Sequence, residues 1–128
     1  MVALGDVTMA AKEGIASLGQ VILAGGTISL EDTDGELLNK AKLISVNGDV
    51  NLKSAQGSVI NDETNGYVFA LNGNITLHAD GETVDVIHRG DLVALNKNNF
   101  DGKGGIFLIS KNGDVYNYDE FKDVDGQN

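Results

Sequence analysis

The residues in this chain that could do chemistry are a tripeptide, a series of acidic residues and two histidines. Arg89, Gly90 and Asp91, inside "IHRGDLVAL" (87–95), form the tripeptide that animal integrins recognise. An exposed corner displaying that Arg and Asp would be an attachment motif. Asp6, Asp49, Asp91 and Asp114 each follow a glycine, with Asn74 in the same series. If the fold stacks them along one edge, the carboxylates need solvation, backbone hydrogen bonds or a bridging cation. Calcium is the ion that carboxylate and carbonyl oxygens would suit.

"DTDGE" (32–36) and "DVDGQN" (123–128) each supply two aspartates of an EF-hand-like opening, without flanking helices or a distal glutamate. Solvated turn aspartates are therefore the preferred reading, calcium the alternative, and no metal or other cofactor is expected. His78 and His88 lie near Asp80, Glu82 and Asp85 without an HExxH pattern, which reads as structural surface histidine. Asp91 with Arg89, and Asp114 one repeat later, is the grouping that could form the acidic centre of a carbohydrate-cleaving site. Neither a Gly-x-Ser-x-Gly elbow nor a phosphate-binding glycine loop is present. No catalytic residue, and so no enzyme, is expected.

The elements that position these residues follow from composition and repeats. The 128 residues suit one domain. Its apolar residues are mostly Val, Ile, Leu and Ala; glycine is high at 17, and proline, cysteine and tryptophan are absent. Frequent chain reversal with nothing to interrupt a hydrogen-bond ladder favours many short strands. Nine Lys and Arg against 19 Asp and Glu give a net charge of −10, which argues against nucleic acid and anionic membranes as partners. The opening "MVALGDVTMAAKEG" has no basic n-region or apolar core of a signal peptide, and no apolar run would insert in a bilayer.

A glycine, a polar residue and alternating apolar residues recur in "GDVTM" (5–9), "GTISL" (26–30), "GDVNL" (48–52), "GNITL" (73–77), "GDLVAL" (90–95) and "GDVYNY" (113–118). A weaker series comprises "GQVIL" (19–23), "GSVIN" (57–61) and "GGIFL" (104–108). In each unit the period of two predicts a half-buried strand, with Val7 and Met9, Ile28 and Leu30, Val50 and Leu52, and Ile75 and Leu77 pointing inward. The repeat corners are Gly5, Asp6, Gly26, Gly48, Asp49, Gly73, Asn74, Gly90, Asp91, Gly113 and Asp114, glycine serving positive φ and Asp or Asn the turn. A period in the low twenties without helical pattern predicts an all-β, right-handed parallel β-helix of about five to six coils. The β-helical repeat is expected over 1–118 and a polar frayed tail over 119–128. "SLEDTDGELLNKAKL" (29–43) reads as a loop excursion or a helical turn.

"GDVTMAAKEG", "GQVILAGGTISLEDTDG", "LISVNGDVNLKSAQGSVIND" and "ALNGNITLHADG" resemble the repeats of filamentous haemagglutinin-like exoproteins, the large adhesins that Gram-negative bacteria export by two-partner secretion. The likeness covers about residues 5–81 well and 82–118 more loosely. It implies a right-handed β-helical shaft, secreted or displayed at the cell surface, of which this chain is a fragment. The partners it implies are an outer-membrane transporter for export, a host-cell receptor or surface glycan bound through the parent adhesin, and further coils meeting end to end. Two other readings are a short self-assembling β-helix like the bactofilin filament proteins, and a β-helical carbohydrate-binding or carbohydrate-cleaving module.

Overall fold

The computed structural model describes residues 2–12, 15–62, 67–81, 85–88, 91–94, 106–111, 113–117 and 122–123. Every regular element among them is a strand: β1 (Val2–Ala3), β2 (Val7–Ala11), β3 (Ile15–Ala24), β4 (Ile28–Asp32), β5 (Leu37–Ser45), β6 (Val50–Ser54), β7 (Val59–Asn61), β8 (Tyr67–Ala70), β9 (Ile75–Ala79), β10 (Val86–His88), β11 (Asp91–Ala94), β12 (Ile106–Ser110), β13 (Val115–Asn117) and β14 (Lys122–Asp123). All pairings are parallel, and each joins a strand to its counterpart in the next coil. The chain is a parallel β-solenoid.

Each coil has three faces. The first is a five-stranded sheet in the order β12-β9-β6-β4-β2. The second and third are joined into one sheet because β3 and β5 bend through the corner between them. The first half of β5 pairs with β7 and its second half with β8. The coils built on β4, β6 and β9 are covered on both sides on all three faces, while among the described residues β2, β12, β13 and β14 of the end coils pair on one side only. Their number is therefore best given as about three closed turns between two end coils, against the five to six coils expected. The segment 29–43 contains no helical turn. It runs as β4, a corner at 33–36 and β5, with Leu37 and Asn39 buried and Leu38 half-exposed between them.

The core is a set of columns. Val7, Ile28, Val50, Ile75 and Ile106 share one register row, and Met9, Leu30, Leu52, Leu77 and Leu108 the next. From Ile28 to Leu77 these side chains are 0–1% exposed, and each contributes roughly 1.5–3 kcal/mol by leaving water. In the last coil the column opens. Val115 is 44% exposed, whereas Val86, its register partner, is 0% exposed.

The outer surfaces differ between faces. On the first face Ser29, Asn51 and Thr76 alternate with the buried residues, the pattern of a sheet with one side in water. On the second face Leu38, Ile60 and Ile87 share an outer row. On the third face Leu23, Ile44, Phe69 and Val93 do so. All seven are half-exposed. "VIN", "YVFA" and "DLVA" are accordingly apolar on both sides of the strand.

Candidate functional sites

The corner ahead of the first face explains the short polar residues of the repeat. Asp6, Thr27, Asp49 and Asn74 each precede a first-face strand, and each of the first three accepts a hydrogen bond from the next coil. The Thr27 N–H donates to Asp6 Oδ1 at 2.7 Å, the Asp49 N–H to Thr27 Oγ1 at 3.2 Å, and the Asn74 N–H to Asp49 Oδ1 at 2.8 Å. The corner ahead of the second face repeats the device. The Asp85 N–H donates to Ser58 Oγ at 3.0 Å and the Asp114 N–H to Asp85 Oδ1 at 2.9 Å. A side chain of one or two bonds' reach with a terminal oxygen is required, which restricts the position to Asp, Asn, Ser or Thr.

The glycine beside this lock has a reason other than positive φ. A Cβ on Gly48 would lie 2.5 Å from Thr27 Oγ1 and 2.6 Å from its N, and one on Gly73 would lie 2.6 Å from Asp49 Oδ1. Neither residue sits in the left-handed region. The preceding coil leaves no room for a side chain.

The repeat corners therefore sort into separate columns. Gly5-Asp6, Gly26, Gly48-Asp49 and Gly73-Asn74 share the first-face corner, and the next strand in that column is β12 of "GGIFL". Gly113-Asp114 belongs to the corner ahead of the second face. Asp91 opens β11 on the third face, in register with Tyr67 and hence with Lys42, and it is not at a corner. Arg89 and Gly90 lie outside the described residues. The offset arises between the fourth and fifth coils, where Ile75 to Ile106 spans 31 residues against 22 from Ile28 to Val50. A Gly-polar-apolar triplet suits any of the three corners, so local sequence does not distinguish them.

The acidic row is thereby broken up. Thr27 stands between Asp6 and Asp49, Asn74 follows, and Asp91 and Asp114 are on other parts of the coil. Asp114 stacks on Asp85, at the start of the second face, and Asp91 lies beyond that face, so the structure does not bring Asp91 and Asp114 into one centre. Among the described residues no three His, Cys, Asp or Glu side chains converge as a metal site. Within 32–36, Asp32 turns inward and is 0% exposed, while Asp34 and Glu36 are exposed. Asp32 Oδ1 accepts the N–H groups of Asp34 at 3.1 Å and Gly35 at 2.5 Å, and Oδ2 has no partner. Of 123–128, Asp123 lies in β14, paired with Ala94 within the segment expected to be a frayed tail; 124–128 lie outside the described residues.

His78 Nε2 lies 3.7 Å and Lys111 Nζ 3.8 Å from Asp80 Oδ1, a surface grouping between adjacent coils of the kind worth at most about 1 kcal/mol. His88 closes β10 in register with Asn61 and Asn117.

Two interior devices were not legible as function or fold in the repeat alone. Asn39 and Asn61 are register partners and 0% exposed. Asn39 Nδ2 donates to Asn61 Oδ1 at 2.8 Å and to the Ala41 carbonyl at 3.2 Å, while Asn39 Oδ1 accepts the Ala41 N–H at 3.1 Å. This amide ladder fastens the bend between the second and third faces. The other device is Ser-x-x-Gly. Ser45 Oγ donates to the Gly26 carbonyl at 2.7 Å and accepts the Gly48 N–H at 3.1 Å; Ser54 Oγ donates to Gly35 at 2.6 Å and accepts from Gly57 at 2.8 Å. Ser110 accepts the Gly113 N–H in the same way. Its sequence signal is a Ser or Asp three residues before glycine at 32, 45, 54 and 110. Comparison with known proteins returns no matching family model, no matching curated protein and no matching solved structure.

Proposed function

We propose that this chain is a structural shaft segment of a large bacterial adhesin of the filamentous haemagglutinin-like kind, secreted or held at the surface of a Gram-negative cell. The observation that carries the mechanical part is the lock from coil to coil: Asp6 to Thr27, Thr27 to Asp49 and Asp49 to Asn74. Each coil is tied to the next by backbone ladders on its faces and by a side chain at its corner. Contacts between nearest neighbours alone propagate a rod. The adhesin part rests on the resemblance of the repeats. In this reading the chain's work is to hold adhesive regions of the parent away from the cell; an outer-membrane transporter exports the parent, and the parent meets a host-cell receptor or surface glycan elsewhere.

The test is labelling of intact producing cells with an antibody raised against this chain. Surface labelling before lysis is expected, and labelling only after lysis would remove the adhesin reading. A second reading, a self-assembling filament, is favoured by the open core at Val115. Electron micrographs of the purified chain showing filaments rather than separate short particles would select it.

A further inference from the structure

We infer that Asn47 is a self-modification site, at which its side-chain amide is lost to attack by the Gly48 backbone nitrogen, whereas the same dipeptide one coil later, Asn72 with Gly73, is protected by the fold. Glycine after asparagine favours this reaction because it sets no side chain beside the attacking nitrogen. The dipeptide occurs at 47–48, 65–66, 72–73 and 112–113; Asn65 and Asn112 lie outside the described residues. Asn47 and Asn72 stand at the same corner of successive coils, between β5 and β6 and between β8 and β9, and Asn72 Nδ2 donates to Asn47 Oδ1 at 3.1 Å. The Gly48 nitrogen, having passed its proton to hydroxide, attacks Asn47 Cγ. The N–Cγ bond forms, the Cγ–Nδ2 bond breaks, and ammonia leaves with a proton taken from water. Water then opens the cyclic imide. Attack at Cγ frees the Gly48 nitrogen and leaves aspartate; attack at the Asn47 main-chain carbonyl breaks the peptide bond and leaves isoaspartate, with the chain rerouted through Cβ and Cγ.

The hydrogen bonds that must break do not separate the two sites. At the first they are the bond from the Gly48 N–H to Ser45 Oγ at 3.1 Å and the one accepted by Asn47 Oδ1. At the second they are the two made by Asn72 Nδ2, to the Val46 carbonyl at 2.9 Å and to Asn47 Oδ1. Burial separates them. Asn47 is exposed, so ammonia departs into solvent and water reaches the oxyanion that develops on Oδ1. Asn72 Oδ1 is buried without a partner, so the same charge developing there meets no donor. Gly73 is buried, with the Gly48 carbonyl and Asp49 Oδ1 filling the place a Cβ would take, while Gly48 is half-buried. Hydroxide is therefore kept from the Gly73 N–H. A group orphaned in a buried place costs enough to slow the second site at least about fivefold. Isoaspartate at 47 would displace Gly48, whose carbonyl packs on Gly73, and loosen the lock from the Asp49 N–H to Thr27.

The test is incubation of the full chain in mildly alkaline buffer, native and in concentrated guanidinium chloride, with peptide mapping by mass spectrometry to follow the amide-to-acid conversion at each asparagine. In the native chain Asn47 should convert at least about fivefold faster than Asn72. In guanidinium, where only the local sequence acts, the two should convert at similar rates. Ser45→Ala releases the Gly48 N–H and should speed conversion of Asn47 about fivefold, the rate equivalent of one neutral hydrogen bond. Ala24 and Ala70 already hold the register positions on either side of Ser45, so alanine fits the column, and circular dichroism confirms that the variant folds. If it does not, the comparison of native with denatured wild type decides the matter. A native lead of Asn47 under fivefold, an Asn47 that stays intact while both sites convert in guanidinium, a lead that persists in guanidinium, or a folded Ser45→Ala chain that converts no faster would each overturn the inference.

Discussion

Replacing Ser54 by alanine isolates one corner lock. Ser54 is 0% exposed, and its hydroxyl joins two turns, donating to the Gly35 carbonyl of the preceding coil and accepting the Gly57 N–H of its own. Alanine removes both bonds and little volume. The same column already holds Ala79 in the next coil, in register with Ser54, so the methyl group is accommodated there and cavity formation contributes little. Two neutral hydrogen bonds are worth about 1 kcal/mol each. Gly35 and Gly57 are only half-buried, so water recovers part of what is lost and the upper end of the range for orphaned groups does not apply. The expected loss is about 2 kcal/mol in a denaturant titration. Because a solenoid couples nearest neighbours, the amides of β4 to β7 should exchange faster while those of β12, two coils on from β6, change less, as native-state hydrogen exchange would reveal. A loss under about 0.5 kcal/mol, or faster exchange spread evenly over all coils, would refute the reasoning.

Asp32→Ser should stabilise the fold by about 1 kcal/mol, because serine keeps an acceptor for the Gly35 N–H and removes a buried oxygen without a partner; thermal melting checks this. Asn61→Asp should cost about 3 kcal/mol at neutral pH by placing a carboxylate in the amide ladder. The cost should shrink as pH falls and the new carboxyl takes up a proton, so denaturant titrations of both proteins at pH 7 and pH 4 should converge. Gly48→Ala should destabilise by more than about 1 kcal/mol, since its Cβ meets Thr27 backbone as well as Thr27 Oγ1. Gly5→Ala, which meets no atom within 4 Å, is the control, and equal losses in the two variants would count against the close-approach argument.

The amino-acid sequence by itself determined that the strands are short, that they repeat, and which residues of the first face turn inward. Val50 and Leu52 alternate with Asn51 and Lys53, and that period is a local property of an extended chain. A cysteine-free, proline-free chain with 17 glycines restricted the class further. The tertiary structure decided which corner each triplet occupies. Gly48-Asp49 and Gly113-Asp114 are alike in sequence yet sit at different corners, because position is set by the partner in the neighbouring coil and by how many residues the coil has used. It also decided the direction of the polar residues. Asn51 is half-exposed and Asn61 fully buried, although both alternate with apolar neighbours, and only the register of Asn61 with Asn39 gives a buried amide its partner. Asp91 is the clearest case. Its glycine neighbour suggested a corner, but the ladder with Tyr67 and Lys42 places it on the third face, since hydrogen bonds between coils, which no local motif encodes, fix where each strand begins.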